Sequence, residues 1–217
     1  WLRKRPSWPH WIIVVTNPLT IHQWIPAAHR GDAVGDNARV LRDLFRHWGH
    51  NADIFALTID DDMTGEVRPW ADPASRDGDV TIYHYAVPSP MTEAFGRLPG
   101  ARVLHYHNVT PAHFFAPYDA GLVRMCQLGR EQLGEMADRT DLALGVSEFN
   151  RSELDALGFP RTDVLPIAVD TDRLRNAPPT PALDAMLGTP FANILFVGRI
   201  AQDGPYEGLL CDGAAGS

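Results

Sequence analysis

Two histidines one residue apart, His105 and His107, stand in the run His105-Tyr106-His107-Asn108-Val109-Thr110-Pro111. Residues two apart share a face of an extended strand, so this spacing predicts two imidazoles side by side. At the strand's carboxyl end, His107 and Asn108 are placed to offer hydrogen bonds to hydroxyl groups. His105, one step deeper, reads as a core histidine whose nitrogens are satisfied. A metal site would need a third ligand close by. His113 and the acidic run Asp60-Asp61-Asp62 have suitable side chains, but no ligand spacing ties them to the pair; the expectation is a site without metal.

Two further segments carry residues with chemical potential. Pro26-Ala-Ala-His29-Arg30-Gly31-Asp32-Ala-Val-Gly35-Asp36-Asn37 places glycines in a loop before a helix. There the backbone can approach a ligand, and free N–H groups attract phosphate or sugar oxygens. The spacing of Gly31 and Gly35 fits neither a dinucleotide fingerprint nor a Walker loop. Gly145-Val146-Ser147-Glu148-Phe149-Asn150-Arg151 places Ser147 where it caps a helix and Glu148 where a carboxylate suits the helix dipole; the functional alternative is that both line the same cleft as His107. No G-x-S-x-G elbow surrounds Ser147, which disfavours a hydrolase triad.

The elements that must position these residues follow from periodicity. Strands are predicted over Thr20–Ile25, Asp53–Ile59, Val80–Val87, Arg102–Val109, Leu142–Val146 and Val164–Val169. A helix capped by Asp36 or Asn37 carries Val40, Leu41, Leu44, Phe45 and Trp48 at helical spacing and ends at Gly49. A short helix is expected around Met91–Leu98, a long helical region from Pro111 to about Arg139, and another from Ser147 through Leu157 to Gly158. Strands alternating with helices imply right-handed crossovers and a mostly parallel sheet. The fold class is therefore α/β: a doubly wound, Rossmann-like domain over 19–175. An unmatched extension (1–18) precedes it. A Pro-rich linker (176–192) follows, then a new strand, Asn193–Ile200, and an irregular Gly-rich tail to residue 217. In such sheets ligands bind beyond the carboxyl ends of the strands, and the residues singled out above fall there.

Composition narrows the function classes. With 19 Lys and Arg against 27 Asp and Glu, the net charge is −8, a poor match to the clustered cations that nucleic acids require. Cys126 and Cys211, the two cysteines, make neither a disulfide framework nor a thiolate metal site, and a cytoplasmic setting is expected. The apolar run Trp11–Val15 is shorter than the ~7–15 residues of a signal-peptide core, and nothing approaches the ~20 apolar residues of a membrane span.

Five ordered stretches together resemble one family. They are Gln23-Trp24-Ile25-Pro26-Ala27-Ala28-His29-Arg30-Gly31-Asp32, Tyr106-His107-Asn108-Val109-Thr110-Pro111, Gly145-Val146-Ser147-Glu148-Phe149-Asn150, Leu165-Pro166-Ile167-Ala168-Val169-Asp170 and Phe196-Val197-Gly198-Arg199-Ile200. Over roughly residues 20–200 the chain resembles the family 4 (group 1) retaining glycosyltransferases of the GT-B fold. The resemblance implies two Rossmann-like domains facing across a cleft, the N-terminal one holding the acceptor and the other the nucleotide-sugar. It implies metal-independent hexosyl transfer with retained configuration. Gly31–Gly35 would lie near donor phosphates and acceptor, and His107 would touch the transferred sugar. Arg199 would neutralise charge building on the departing diphosphate, a role transfer chemistry demands of some cation.

The chain departs from that family after Ile200. No lysine follows the Gly198-Arg199 pair, the glutamates that would grip the nucleotide ribose and donor sugar are absent, and Ala201-Gln202-Asp203-Gly204-Pro205 leads into the tail. The expectation is a faithful N-terminal fold and an incomplete, truncated active site. The expected partners are a nucleotide-sugar and a sugar, glycan or lipid acceptor, with peripheral membrane contact at most, no cofactor and no nucleic acid. Two other readings stand beside it: a non-catalytic α/β domain that binds a sugar or small molecule, and a hydrolase pairing His107 with Asp60–Asp62.

Overall fold

The structure, a computed structural model, describes residues 17–169 and positions 171, 175–176, 178–181 and 187–188. Residues 1–16, most of the expected linker, the expected strand Asn193–Ile200 with Arg199, and the tail with Cys211 lie outside the described residues.

Seven strands form one sheet: β1 (Thr20–Ala28), β2 (Asn51–Ile59), β3 (Arg68–Pro69), β4 (Val80–Tyr85), β5 (Ala101–Tyr106), β6 (Leu142–Gly145) and β7 (Thr162–Val164). Their order is β3-β2-β1-β4-β5-β6-β7, and every neighbouring pair is parallel. The chain moves outward one way from β1 to β3, then starts again on the other side of β1 with β4. That reversal defines a doubly wound, Rossmann-like α/β fold and places a topological switch point between β1 and β4.

Helices α1 (Ala33–His47), α2 (Met91–Phe95), α3 (Ala120–Glu135) and α4 (Glu148–Ala156) connect the strands. The two sheet faces differ in character. On one, Trp24, Phe55, Tyr83, Tyr85, Leu104 and Tyr106 pack with residues of α2, α3 and α4, including Met91, Phe95, Leu133 and Leu154, into the main core. On the other, Ile25, Ile54 and Ala56 meet Ala38 of α1 together with Met63 and Val67 in a smaller cluster. Because side chains alternate along each strand, that second face also carries Gln23, His84, His105 and His107.

The structure corrects several expectations in detail. Asp32, not Asp36 or Asn37, caps α1, its carboxylate accepting from the Gly35 N–H. The inward face of α1 is Gly35, Asn37, Ala38, Leu41 and Arg42, whereas Val40, Leu44, Phe45 and Trp48 are only half-buried. The buried residues all fall within Gly35–Arg42, so the N-terminal part of the helix rests on the sheet. The two-residue strand β3 was not foreseen; Pro69, lacking an N–H, shortens it. β5 ends at Tyr106, so His107 and Asn108 lie in the turn beyond it. The region after Pro111 divides into a short 3-10 turn, α3 and a second 3-10 turn over Ala137–Arg139. The last strand lies at Thr162–Val164, ahead of the expected Val164–Val169. The Leu165 N–H makes a last bond to the Gly145 carbonyl of β6; Pro166 cannot donate to a ladder, and the Leu165 carbonyl and Ala168 N–H instead bond across the polar face.

Among the described residues no helix is long and apolar enough to cross a membrane.

Candidate functional site

The site assembles at the carboxyl end of β5 from three strands and a helix. His84 on β4 pairs in register with His105 on β5, so the sequence pair His105/His107 acquires a third imidazole. The ring centroids are 5.2 Å apart for His84 and His105, 5.2 Å for His84 and His107, and 4.4 Å for His105 and His107. His84 and His105 are fully buried and His107 partly so. The sequence carried a signal for His84: in Ile82-Tyr83-His84-Tyr85 it has the phase of Ile82, an inward one. Finding it required knowing that β4 lies beside β5.

Hydrogen bonds link the trio to its surroundings. Gln23 donates through Nε2 to the Ala38 carbonyl at 2.9 Å, its Oε1 lies 2.9 Å from His84 Nε2, and His84 Nδ1 lies 3.0 Å from His107 Nε2. His105 Nε2 donates to the Leu165 carbonyl at 2.8 Å, and Asn37 Nδ2 stands 3.4 Å from its Nδ1. Asn37 also accepts the Ala168 N–H at 2.9 Å. His105 is thus the satisfied core histidine its position suggested. His107 differs, because its Nδ1 is buried with no hydrogen-bond partner in the protein.

Burial keeps all three rings neutral. It lowers His107 to about 3, with neighbouring His105 adding to the effect. It lowers His84 well below the ordinary value, helped by His107 and His105. It also lowers His105, against the bond to the Leu165 carbonyl, which acts in the opposite direction. Desolvation penalises imidazolium, and crowding of like groups adds to the penalty.

The turn that carries His107 and Asn108 is anchored from the other face. The Tyr106 hydroxyl accepts the Val109 N–H at 3.1 Å and donates to Glu153 at 3.1 Å. Arg130 donates to the Val109 carbonyl at 2.7 Å and pairs with Glu153. Within this clamp Asn108 adopts φ 79°, the one non-glycine residue at positive φ among the described residues. Asn tolerates that region better than most residues, at some cost in strain. Its side chain is exposed, with Oδ1 3.4 Å from the Tyr106 hydroxyl.

The remaining candidates occupy neighbouring strand ends. Gly31 turns the β1–α1 loop at φ 83°. Asp32 is engaged as the α1 cap, and Gly35 supplies the N–H it accepts. His29 pairs with Asp60 at 2.9 Å and Arg30 with Asp62, which ties this loop to the one after β2 and commits part of the acidic run. Beyond β6, Gly145 sits so close to α4 that a Cβ would collide with the Asn150–Arg151 backbone. Ser147 caps α4, accepting from the Asn150 N–H and donating to Asn150 Oδ1 at 2.8 Å. Glu148 is exposed and paired with Arg151 at 2.8 Å. Gly31, Asp32, Gly35, His107, Asn108, Ser147 and Glu148 therefore share one edge of the sheet. With two strand spacings between β1 and β5, the glycine loop stands roughly 10 Å from the His107 strand.

His84, His105 and His107 are also the group with metal-ligand potential among the described residues, their ligand atoms lying within 4.8 Å of one another. His105 engages both ring nitrogens and His84 and His107 face each other at 3.0 Å, so a cation held here would take the place of those bonds. His113, the other histidine considered from sequence, lies in the turn beyond Pro111, outside this cluster.

A scan of the chain against protein-family models gives no match, and neither does a search of curated proteins; the functional reading therefore rests on the residues and their geometry.

Proposed function

We propose that this chain is the acceptor-side domain of a retaining glycosyltransferase that moves a hexosyl group from a nucleotide-sugar to a hydroxyl acceptor. The observation that carries the reading is His107, a neutral imidazole with an unsatisfied nitrogen at the carboxyl edge of a doubly wound sheet. A sugar ring presents hydroxyl donors, and a buried acceptor without a donor is the complement they seek. The exposed Asn108, next in the chain, adds its amide NH2 as a donor, its Oδ1 standing 3.4 Å from the Tyr106 hydroxyl. The glycine loop Gly31–Gly35 opens the helix nearest the β1/β4 switch point, where phosphates are favoured. In this reading Arg199 serves the departing diphosphate, on the strength of the motif Val197-Gly198-Arg199 alone.

The chemistry asked of His107 is binding rather than proton transfer. A base that works near neutrality needs a pKa near neutrality, and burial holds this ring far below it. Calorimetric binding of simple sugars, alongside nucleotide release over a panel of UDP-, GDP- and ADP-linked sugars, tests the proposal. Saturable sugar binding by the folded chain, weakened about tenfold in H107A, with no nucleotide release above the H107A control, is the expected outcome; tenfold corresponds to one lost hydrogen bond of about 1.4 kcal/mol. No sugar binding, or binding unchanged in H107A, would overturn the assignment, and release above that control would overturn the expectation of an incomplete active site.

A further inference from the structure

The hydrogen-bond chain that ends at His107 has a polarity, and one backbone atom sets it. A carbonyl oxygen can only accept. The Gln23 side-chain group that meets the Ala38 carbonyl is therefore its NH2, which leaves Gln23 Oε1 facing His84 Nε2. An amide oxygen also only accepts, so His84 Nε2 carries a proton. A neutral imidazole has one N–H, and His84 is fully buried beside two other imidazoles, so its Nδ1 is bare. That nitrogen faces His107 Nε2 at 3.0 Å. Two bare nitrogens would repel at this distance, so His107 Nε2 carries the proton, and His107 Nδ1 is the bare one. The atom that the fold leaves without a partner is thus a lone pair rather than an N–H.

We propose that Gln23 and His84 are positioning residues that lock His107 in the Nε2–H tautomer, so that Nδ1 is held as an acceptor for a hydroxyl of a polyhydroxylated ligand. Only the identity of the ligand rests on the glycosyltransferase reading; the lock follows from the bonds. Three features support it. Gln23 and His84 are completely buried, so water cannot offer the relay another partner. The order Ala38 carbonyl, Gln23, His84, His107 leaves no second arrangement in which every bond survives: protonating His107 at Nδ1 would reverse His84, and then either its bare Nε2 would face Gln23 Oε1 or, with the amide turned over, Gln23 Oε1 would face the Ala38 carbonyl, two acceptors in each case. The other imidazole, His105, is bonded to Asn37 and Leu165 and does not compete for His107. Leaving a buried acceptor unpaired is unfavourable, and a ligand hydroxyl recovers that cost while a ligand lacking one does not. With Asn108 exposed and His107 partly covered, the donor approaches from the turn beyond β5.

The test reads the tautomer directly. In the intact chain labelled with 15N-histidine, imidazole nitrogen resonances distinguish a protonated from a bare nitrogen. At neutral pH the wild type is expected to show His107 protonated at Nε2 and bare at Nδ1. In Q23L the acceptor that orients His84 is gone, and in H84F the acceptor for His107 itself is gone. Either variant is expected to give a mixture of both His107 tautomers with the amide fold spectrum retained, and two variants keep the test open if one fails to fold. A wild-type His107 protonated at Nδ1, or a pure Nε2–H tautomer surviving in folded Q23L and H84F, would overturn the proposal. So would zinc displacing the protons of His84 and His107 together at stoichiometric addition. Titration with glucose and mannose separates the two readings. Movement of the Nδ1 resonance supports both; the expected tautomer with no movement upholds the lock and sinks the transferase reading.

Discussion

The two faces of this sheet bury their side chains in opposite ways. One face packs Trp24, Phe55, Tyr83, Tyr85 and Tyr106 against three helices, with ring pairs such as Trp24–Trp70 and Tyr83–Tyr85 meeting edge to face at 5.6 Å. Its cohesion comes from apolar area and ring contacts. The other face buries Gln23, His84, His105 and Asn37, groups that bring little apolar area and must be bonded to be tolerated. A sheet can carry both because the aromatic face supplies stability, which the polar face draws on to hold a set of nitrogens in one geometry.

Acid should break the comparison most completely. All three rings of the polar face are held neutral, below the ordinary histidine value of 6.5. The unfolded chain therefore binds more protons than the folded one once pH falls below about 6.5. Stability is full above that value and declines as pH falls, continuing to about 3 for His107. Each neutral ring contributes up to about 1.4 kcal/mol per pH unit to the decline. Urea titrations between pH 7.5 and 4.5 should show midpoints collapsing in mild acid, with a shallower slope in H84F. A pH-independent midpoint would mean that the trio is already charged or exposed.

Truncating the aromatic face comes next. Trp24 is completely buried and donates to the Ser75 carbonyl at 2.9 Å. W24A should cost about 3–5 kcal/mol, as large-to-small core changes do, while leaving the pH slope unchanged. Chemical denaturation at neutral and acid pH measures both. If W24A altered the slope as strongly as H84F, the two faces would not be independent.

The smallest effect sharpens the comparison at the sheet's edge. S147A removes the cap of α4 and should cost about 1 kcal/mol, with little consequence at the histidines. If nucleotide-sugar binding also falls well beyond that loss, as read by titration calorimetry, Ser147 belongs to the site and not only to its frame.

How much of this was legible in the sequence depends on which contacts were local. Alternation within one strand put His105 and His107 together, and the apolar runs with their breakers located five of the seven strands to within a few residues. Helix ends set by short-range chemistry, such as Gly49 and the Ser147 cap, were also readable. Asp32 was passed over as a cap because Asp36 and Asn37 are equally good candidates four and five residues later, and only the course of the loop decides among them. His84 was missed because its relation to His105 exists only through strand order. Gln23, Asn37 and the Leu165 carbonyl were illegible for the same reason: each is an ordinary polar group until the sheet brings it to an imidazole. Val164–Val169 reads as a strand by composition, yet only Val164 and the Leu165 N–H stay on the β6 ladder, while the Leu165 carbonyl and the Ala168 N–H turn to His105 and Asn37.

The bond from the Ala168 N–H to Asn37 joins residues 131 positions apart, the longest span among the described side-chain bonds. Closing so large a loop costs chain entropy that no local contact repays. This link should therefore form after the sheet has assembled and open before the sheet comes apart. Ala168 is then a built-in gauge: in hydrogen exchange its amide reports a partial opening rather than global unfolding. Its protection measures whether the outgoing chain is docked over the histidines. A ligand that settles on His107 and requires the docked arrangement will slow that single exchange rate at a concentration set by its own affinity.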